Sequence, residues 1–326
     1  MKLIIQIPCF NEEATLPLTL SDLPRQLSGF DSVEWLVIDD GSEDRTSEIA
    51  RANGVDHVIR LPQNGGLARA FSKGLEAALA LGADVIVNTD ADNQYQGGDV
   101  EKLVSPVVAG EAQITVGARP INSIEEFSTI KKWLQRLGSS VVRSLSLTNV
   151  DDAPSGFRAF SREAAMKLNV FSRYTYTLET IIQAGQEGLA IKSVPIGVNP
   201  AKRESRLVKS VAVYVQRSMV TLLRIFVVYR PMRFFMTLAG LLFFAGMILA
   251  FRYLYFVFIG EGSGHIQSVI LAALLLGSGL LLVVVALIAD LIAVNRKLLE
   301  KVVWRLCKLE DTVAKFDRRP ADDGER

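Results

Sequence analysis

Apolar and polar residues follow two different periods in the first part of the chain. Short apolar runs of strand length alternate with longer stretches in which apolar residues recur every three or four positions, as in amphipathic helices. The runs predict strands at residues 3–7, 34–38, 57–60, 85–88 and 113–116. The stretches between them predict helices at residues 13–28, 43–52, 67–81 and 98–108. Strand-helix alternation favours an α/β fold with a mixed, mostly parallel sheet and helices on both faces.

Two long apolar stretches stand in the last third of the chain. Residues 234–251 and 269–289 contain no charged side chain, and each stretch is long enough to cross a bilayer as a helix. We therefore expect a transmembrane hairpin at residues 234–294, with spans at 234–259 and 267–292. The alternative is a pair of buried helices in a soluble protein.

Positive charges flank the predicted hairpin on one side. Arg230 and Arg233 precede the first span, and Arg296 and Lys297 follow the second. Because positively charged flanks stay in the cytoplasm, both termini and the N-terminal domain are expected there, with the protein multi-pass in the plasma (inner) membrane.

The N-terminal part of the chain and the segment before the hairpin have net charges of opposite sign. Residues 1–198 hold 18 Lys and Arg against 25 Asp and Glu, a net charge of −7, whereas residues 199–233 hold 8 against 1, a net charge of +7. The basic segment is interpreted as amphipathic juxtamembrane helices beside anionic lipid. The alternative is a helix of the soluble domain. The predicted organisation is a cytoplasmic domain at 1–198, this segment at 199–233, the hairpin, and a cytoplasmic amphipathic helix with a tail at 295–326.

Composition excludes several classes of protein. Of 326 residues, 49% are hydrophobic, which excludes a disordered chain. The two cysteines, Cys9 and Cys307, lie near opposite ends, and there are two histidines, so neither a disulfide framework nor a Cys/His zinc site is expected. The acidic N-terminal domain argues against a nucleic-acid partner.

Polar clusters follow three of the predicted strands. The first strand runs into Pro8-Cys9-Phe10-Asn11-Glu12-Glu13, the second into Asp39-Asp40-Gly41-Ser42, and the fourth into Asp90-Ala91-Asp92-Asn93-Gln94. Taken singly, each is an ordinary turn or helix cap. Together, at the carboxyl ends of parallel strands, they predict an acidic crevice, which is where such sheets bind ligands.

Two of these segments suggest phosphate chemistry. Asp90 and Asp92 supply hard oxygen ligands for Mg²⁺ or Mn²⁺, and such a metal would bridge a diphosphate. The alternative is a loop with two solvated carboxylates. Gly65 and Gly66 open a predicted helix, where backbone amides can approach a phosphate, although a plain turn explains them equally well.

These motifs resemble those of family 2 glycosyltransferases. The resemblance rests on Asn11-Glu12-Glu13, on Val37-Ile38-Asp39-Asp40-Gly41-Ser42 and on Asp90-Ala91-Asp92. A later run, Asp152-Ala153-Pro154-Ser155-Gly156-Phe157-Arg158, is similar to that of polyprenyl- and dolichyl-phosphate sugar synthases. The resemblance covers residues 1–230, and the C-terminal hairpin fits the membrane-anchored bacterial branch. It implies a glycosyltransferase A-type (Rossmann-like) fold and an inverting transfer from a nucleotide sugar.

The resemblance also implies roles for individual residues. The donor nucleotide is expected to contact Pro8, Phe10, Asn11, Glu12, Asp39, Asp40, Gly66, Asp90 and Ala91. The metal is expected at Asp90, Asp92 and Gln94. The acceptor phosphate is expected at Arg119, Arg136, Ser140 and Arg203, and the catalytic group comprises Asp92, Arg119 and Asp152. Glu179 is given a structural or orienting role.

The expected reaction is transfer of a sugar from a UDP- or GDP-sugar to polyprenyl phosphate, at the cytoplasmic membrane face, by a homo-oligomer. A phosphate nucleophile is already anionic and needs positioning by arginine more than a general base, so Asp152 is expected to orient the acceptor or an arginine. The alternatives are transfer to another lipid or a polysaccharide, and a non-catalytic membrane scaffold. A Gln-x-x-Arg-Trp motif typical of processive synthases is absent.

Overall fold

The computed structural model describes residues 1–120, 148, 150–170, 176–200, 220, 223–224 and 226–317. Contacts divide the chain into two compact units. One is built on a seven-stranded sheet, and the other, Met219–Leu306, holds most of two long helices. The predicted basic helices of residues 199–233 fall largely outside the described residues.

The sheet is mixed and mostly parallel, as predicted. Its strands are β1 (Lys2–Cys9), β2 (Ser32–Asp39), β3 (His57–Arg60), β4 (Val85–Asn88), β5 (Ile114–Ala118), β6 (Arg158–Ser161) and β7 (Ile191–Pro195), in the order β3-β2-β1-β4-β6-β5-β7. Only β6 runs antiparallel to its neighbours among these strands. The last two strands were not predicted. The side chains of Leu3, Ile5 and Ile7 are fully buried, so β1 forms the centre of the core.

The first four of the helices that cover the sheet lie at the positions that the sequence predicts, with shorter ends, whereas the two at residues 162–167 and 177–186 were not predicted. They are α1 (Leu16–Asp22), α2 (Thr46–Ala52), α3 (Leu67–Ala80), α4 (Val100–Val108), α5 (Arg162–Lys167) and α6 (Thr177–Gln186). Helix α1 stops six residues before its predicted end, because Leu23 precedes Pro24 and takes an extended conformation (ψ 139°). Helix α2 begins late because the Asp44 carboxylate accepts the backbone N–H of Thr46 at 3.0 Å.

Two long helices form the C-terminal part. Helix α7 (Pro231–Ile259) starts on a proline and ends at Gly260, whose φ of 87° terminates it. Helix α8 runs without interruption from Ile266 to Asp317, so the second predicted span and the amphipathic helix predicted after it form one continuous helix. No glycine or proline occurs from residue 280 to residue 319 to stop it. Both helices are long and apolar enough to cross a membrane.

Gly41 allows two loops to meet at the carboxyl edge of the sheet. Its φ is +73°, and a Cβ placed there would lie 2.7 Å from the backbone carbonyl carbon of Gln63. The turn after β2 therefore contacts the turn after β3 backbone to backbone. A side chain would force the two turns apart.

We predict that Gly41→Ala lowers the free energy of unfolding of this unit by about 2–4 kcal/mol, because the left-handed backbone and the close contact both oppose a Cβ. Gly110→Ala is the matched control. Its φ is +72°, yet nothing lies within 4 Å of its Cβ position, so the loss should be about 1 kcal/mol. Thermal unfolding in detergent measures both. Equal losses would contradict the close contact.

Candidate active site

Five chain segments with polar side chains converge at one edge of the sheet. Strands β1, β2, β4 and β5 end there, and β6, which runs the other way, begins there. The sequence-predicted clusters that follow β1, β2 and β4 are thereby brought together. The sheet topology brings two further polar segments to this edge that the sequence pattern did not predict there. They are Arg119 after β5 and the segment before β6.

The segment after β1 is locked to the turn after β2. Asn11 adopts a left-handed backbone (φ 53°) and donates its N–H to Ser42 Oγ at 2.9 Å, while its Oδ1 accepts the N–H of Glu43 at 2.8 Å. The backbone N–H of Glu12 donates to Thr46 Oγ1 at 2.9 Å. These bonds fix the two predicted donor segments relative to each other.

The side chains around that segment differ in exposure. Pro8 is buried in β1, where it pairs in register with Ile38. Glu12 is buried, and its carboxylate accepts the Thr15 hydroxyl at 2.6 Å. Phe10 is 37% exposed.

Asp39 is a fully buried carboxylate that holds the turn after β2. It accepts the backbone N–H of Ser42 at 2.7 Å and the hydroxyl of Ser47, and it lies 3.8 Å from Arg60 Nε. Its oxygens are thus engaged by the protein. The geometry assigns Asp39 to the scaffold of the predicted nucleotide site.

Asp40 binds the two backbone amides that were suggested as a phosphate contact. The buried Asp40 carboxylate accepts the backbone N–H of Gly65 at 2.9 Å and that of Gly66 at 2.7 Å. In this structure the two amides therefore donate to a carboxylate, and the expected contact of Gly66 with the donor stays a prediction. Gly66 keeps a positive φ of 89° at the start of α3, as the turn requires.

Asp90, Ala91, Asp92 and Gln94 form a tight turn after β4. Gln94 donates its backbone N–H to Asp92 Oδ1 at 3.2 Å, and the Thr19 hydroxyl donates to the carbonyl of Ala91 at 3.0 Å. The residue between them, Asn93, takes a left-handed backbone with φ 57°. The two aspartates thus share one short, braced loop, as the Asp-x-Asp pattern predicts.

The surroundings of the Asp90 carboxyl destabilise its charged form. Its withdrawal from water, followed by repulsion from Asp92, raises its pKa to about 7, against an ordinary value of 3.8. A bound divalent cation would offset both effects, and carboxylate oxygens are the donors that Mg²⁺ and Mn²⁺ prefer. In the described residues no group of three or more Asp, Glu, His or Cys is arranged around a common point. The pair therefore fits a metal that takes its other ligands from a diphosphate and water.

The Gly156 backbone lies directly against the Asp90 carboxylate. A Cβ on Gly156 would lie 2.9 Å from Asp90 Oδ2 and 3.0 Å from the Tyr176 hydroxyl. The Gly156 N–H donates to the Tyr95 hydroxyl at 3.0 Å, and its carbonyl accepts Asn88 Nδ2 at 2.9 Å. The sequence motif thus has a steric reason for glycine at this position. Asn88, Tyr95 and Tyr176 had been given no role, because their partners are far apart in the chain.

Arg119 and Asp152 form a buried, bidentate ion pair. Arg119 Nε donates to Asp152 Oδ2 at 2.6 Å, and Nη2 donates to Oδ1 at 3.0 Å. The Asp152 side chain is 1% exposed and that of Arg119 is 14% exposed. This geometry is that of a carboxylate that orients a guanidinium, and the catalytic roles expected for both residues stay predictions.

Arg158 is a fully buried cation that had been quoted only as part of a motif. Its Nε donates to the Ser155 carbonyl at 2.8 Å, one Nη to the Ala153 carbonyl at 2.6 Å, and the other to the Thr180 hydroxyl at 2.6 Å. Desolvation lowers its pKa to about 10, which keeps it charged at neutral pH. Arg158 therefore fixes the segment that carries Asp152 and Gly156.

Three predicted acceptor residues, Arg136, Ser140 and Arg203, lie outside the described residues, and their roles stay predictions. Glu179 is 7% exposed in the first turn of α6, which agrees with a structural role.

Comparisons with known proteins agree on one family. The model of glycosyl transferase family 2 matches residues 4–168. A UDP-N-acetylglucosamine–dolichyl-phosphate N-acetylglucosaminyltransferase of Methanococcus voltae is 32% identical over 212 residues, which cover 58% of this chain and 82% of the relative. An undecaprenyl-phosphate mannosyltransferase of Micrococcus luteus is 29% identical over 206 residues, which cover 60% and 83%.

Solved structures agree on the fold. Glucosyl-3-phosphoglycerate synthase from Mycobacterium tuberculosis, in complex with phosphoglyceric acid, superposes with a TM-score of 0.55 and 25% identity, covering 68% of this chain and 79% of that one. The same synthase with Mn²⁺, UDP and its product gives a TM-score of 0.53 at 23% identity, with the same coverage. The expected glycosyltransferase A-type fold is thereby confirmed.

The first prediction from the site concerns pH. The folded pKa of Asp90 is raised, so ionisation of this carboxyl destabilises the fold. The cost is absent below about pH 4, grows as pH rises towards 7, and is complete above 7. Without metal, Asp90→Asn should therefore raise the free energy of unfolding by about 2–4 kcal/mol at pH 8 and by less at pH 5.

Thermal unfolding in EDTA at both pH values measures this difference. Glu187→Gln, an exposed carboxyl just after α6, is the control and should change nothing. A gain from Asp90→Asn that is the same at pH 5 and pH 8 would contradict the assignment.

The second prediction concerns Arg158. Arg158→Met leaves two buried carbonyls and the Thr180 hydroxyl without this donor, so we expect a loss of about 2–4 kcal/mol and faster amide hydrogen exchange at residues 152–156. Arg162→Met is the matched control, because Arg162 donates to the carbonyls of Leu79 and Ala83 instead. Its effect should appear around residues 79–83. Unchanged exchange at 152–156 in Arg158→Met would refute the role.

Proposed function

The chain belongs to glycosyl transferase family 2, and we propose that it transfers a sugar, with inversion, from a UDP- or GDP-linked donor to polyprenyl phosphate. The product is a polyprenyl-phosphate sugar that serves glycan or lipid modification. The observation that carries this proposal is the oriented guanidinium of Arg119, which stands at the same sheet edge as the Asp90–Asp92 pair. One group suits an acceptor phosphate and the other a donor diphosphate.

On the donor side, the residues fit a nucleotide diphosphate with a divalent metal. The Asp90 and Asp92 carboxylates would hold Mg²⁺ or Mn²⁺, which when bound offsets the charge that develops on the diphosphate leaving group. Phe10 offers an exposed ring at the nucleotide side of the edge. Asp39 and Asp40 act by fixing the turns around it.

On the acceptor side, the buried pair explains how catalysis proceeds without a strong base. A guanidinium has five N–H donors, and Asp152 takes two of them in a fixed plane, so the group remains able to bind a phosphate. A phosphate monoester is anionic at neutral pH and attacks as it is. Asp152 then holds Arg119 in position and removes no proton.

The long C-terminal helices support a lipid acceptor. Both are apolar enough to cross a membrane, and most of their large apolar side chains are exposed. The two relatives reported above are named for transfer to dolichyl phosphate and undecaprenyl phosphate. The basic residues that flank the helices favour a cytoplasmic active site at the plasma membrane.

The test is a transfer assay in detergent with undecaprenyl phosphate, Mg²⁺ or Mn²⁺, and a panel of radiolabelled UDP- and GDP-sugars. We expect label in the extracted lipid phase from one donor, and the panel identifies the sugar. Label that appears only in a polymer, or no transfer despite bound nucleotide, would contradict polyprenyl phosphate as the acceptor. Absence of metal-dependent nucleotide binding would favour a scaffold.

Asp92→Asn should lower the transfer rate by a factor on the order of 10² or more, because it removes one of the two carboxylates proposed to hold the metal. The protein should remain folded and associated with membranes, and in EDTA its unfolding temperature should be no lower than that of the unmodified protein, because the change removes the repulsion between Asp92 and Asp90. Glu187→Gln serves as the control and should keep full activity. A fully active Asp92→Asn would remove the metal assignment.

A further inference from the structure

The last part of α8 carries a heptad repeat that the transfer reaction does not use. Apolar residues recur at alternating spacings of three and four, with one polar residue, Asn295, near the start. Written in the usual abcdefg notation, the a positions are Ile292, Leu299, Leu306 and Val313, and the d positions are Asn295, Val302, Leu309 and Phe316. This pattern is typical of helices that pair along one seam.

The seam is uncovered within one copy of the chain. Five of its residues, Leu299, Val302, Leu306, Leu309 and Val313, are between 54% and 66% exposed. A row of large apolar side chains at this exposure is unfavourable in water and marks a contact surface.

The e, b and f positions beside and behind this seam, namely Arg296, Glu300 and Trp304, are partly covered. The Arg296 guanidinium lies over the Tyr229 ring, 4.3 Å from its centre, and Arg296 Nε is 3.5 Å from Glu300. The side chains of Arg296 and Glu300 are 20% and 11% exposed, and Trp304, one turn further, is half-buried. The helix thus packs through these positions and leaves the five apolar seam residues uncovered.

The bilayer does not cover this seam. Helix α8 is continuous over 52 residues, or about 78 Å at 1.5 Å per residue, whereas the hydrocarbon core is about 30 Å thick. The polar run Asn295-Arg296-Lys297 marks the end of the apolar part. Because no break follows it, residues 295–317 continue away from the membrane instead of turning to lie on its surface.

The shared membrane topology and the charges beside the seam both favour a parallel partner. Copies inserted in one membrane with the same topology send this helix out in the same direction, so two such helices run parallel. In a parallel pair, a g residue faces the e residue five positions later on the partner helix. Here Arg305 is at g and Glu310 is at e, and both are exposed. Each pair of helices therefore gains two opposite-charge contacts.

We propose that residues 292–317 form a parallel coiled coil with the same segment of a second copy of this chain. The apolar seam drives the association, and Arg305 with Glu310 of the neighbouring copy sets the register. The coil is short, but the membrane confines the helices and raises their effective concentration.

Cysteine cross-linking in native membranes tests the proposal. In a background with Cys307→Ser, where the remaining Cys9 is buried in the sheet, we compare Val302→Cys with Lys301→Cys and Leu309→Cys with Lys308→Cys. The d positions bring identical residues within disulfide reach in a parallel pair, whereas the c positions hold them apart. Mild oxidation should give several-fold more cross-linked dimer at 302 and 309 than at 301 and 308.

A charge swap tests the register independently of folding. Arg305→Glu should reduce cross-linking at Leu309→Cys by repulsion from Glu310, and the double change Arg305→Glu with Glu310→Arg should restore it. Equal cross-linking at c and d positions, or no cross-linking at any, would overturn the proposal. So would cross-links at 302 and 309 to a different protein in place of a second copy.

Discussion

The site depends on one buried cation. Arg158 has no exposed surface, and its three hydrogen bonds within the described residues go to two carbonyls and a hydroxyl. It thereby draws the segment after residue 152 into a fixed loop at the start of β6. That loop places Asp152 against Arg119 and the Gly156 backbone against Asp90. The proposed donor and acceptor groups are thus positioned by a single irregular segment, which a buried charge holds in place.

The carboxylates at this edge fall into two electrostatic classes. Asp39, Asp40 and Asp152 are buried, and each accepts hydrogen bonds that stabilise its charge. Asp90 lacks comparable compensation, since desolvation and Asp92 raise its pKa to about 7. The carboxylates with hydrogen-bond donors stabilise the turns, whereas in the proposed function the Asp90–Asp92 pair would hold a cation that arrives with the substrate. Stability and function therefore make opposite demands on Asp90.

The sequence predicted the sheet class, five strands and the convergence of polar loops, because all three follow from periodicity and parallel topology. It did not predict β6 and β7. Their four and five residues mix Arg158, Ser161, Lys192 and Ser193 with apolar ones, so no strand period is visible. Nor did it reveal that Asp40 occupies the Gly65 and Gly66 amides, or that Asp152 would meet Arg119, which is 33 residues away. Long-range pairs of this kind leave no local pattern.

A polyprenyl phosphate occupies two environments at once, because its phosphate lies in water and its tail lies in the bilayer. An enzyme that uses it has to bind both parts. This chain carries an element suited to each: an arginine oriented by a buried aspartate, and two helices whose apolar side chains face outward. A soluble sugar acceptor would require neither an apolar anchor nor a preformed cation, but it would require a base to ionise its hydroxyl. Asp152 is committed to Arg119 through both of its oxygens. The pairing of these two residues therefore favours an acceptor that arrives already charged.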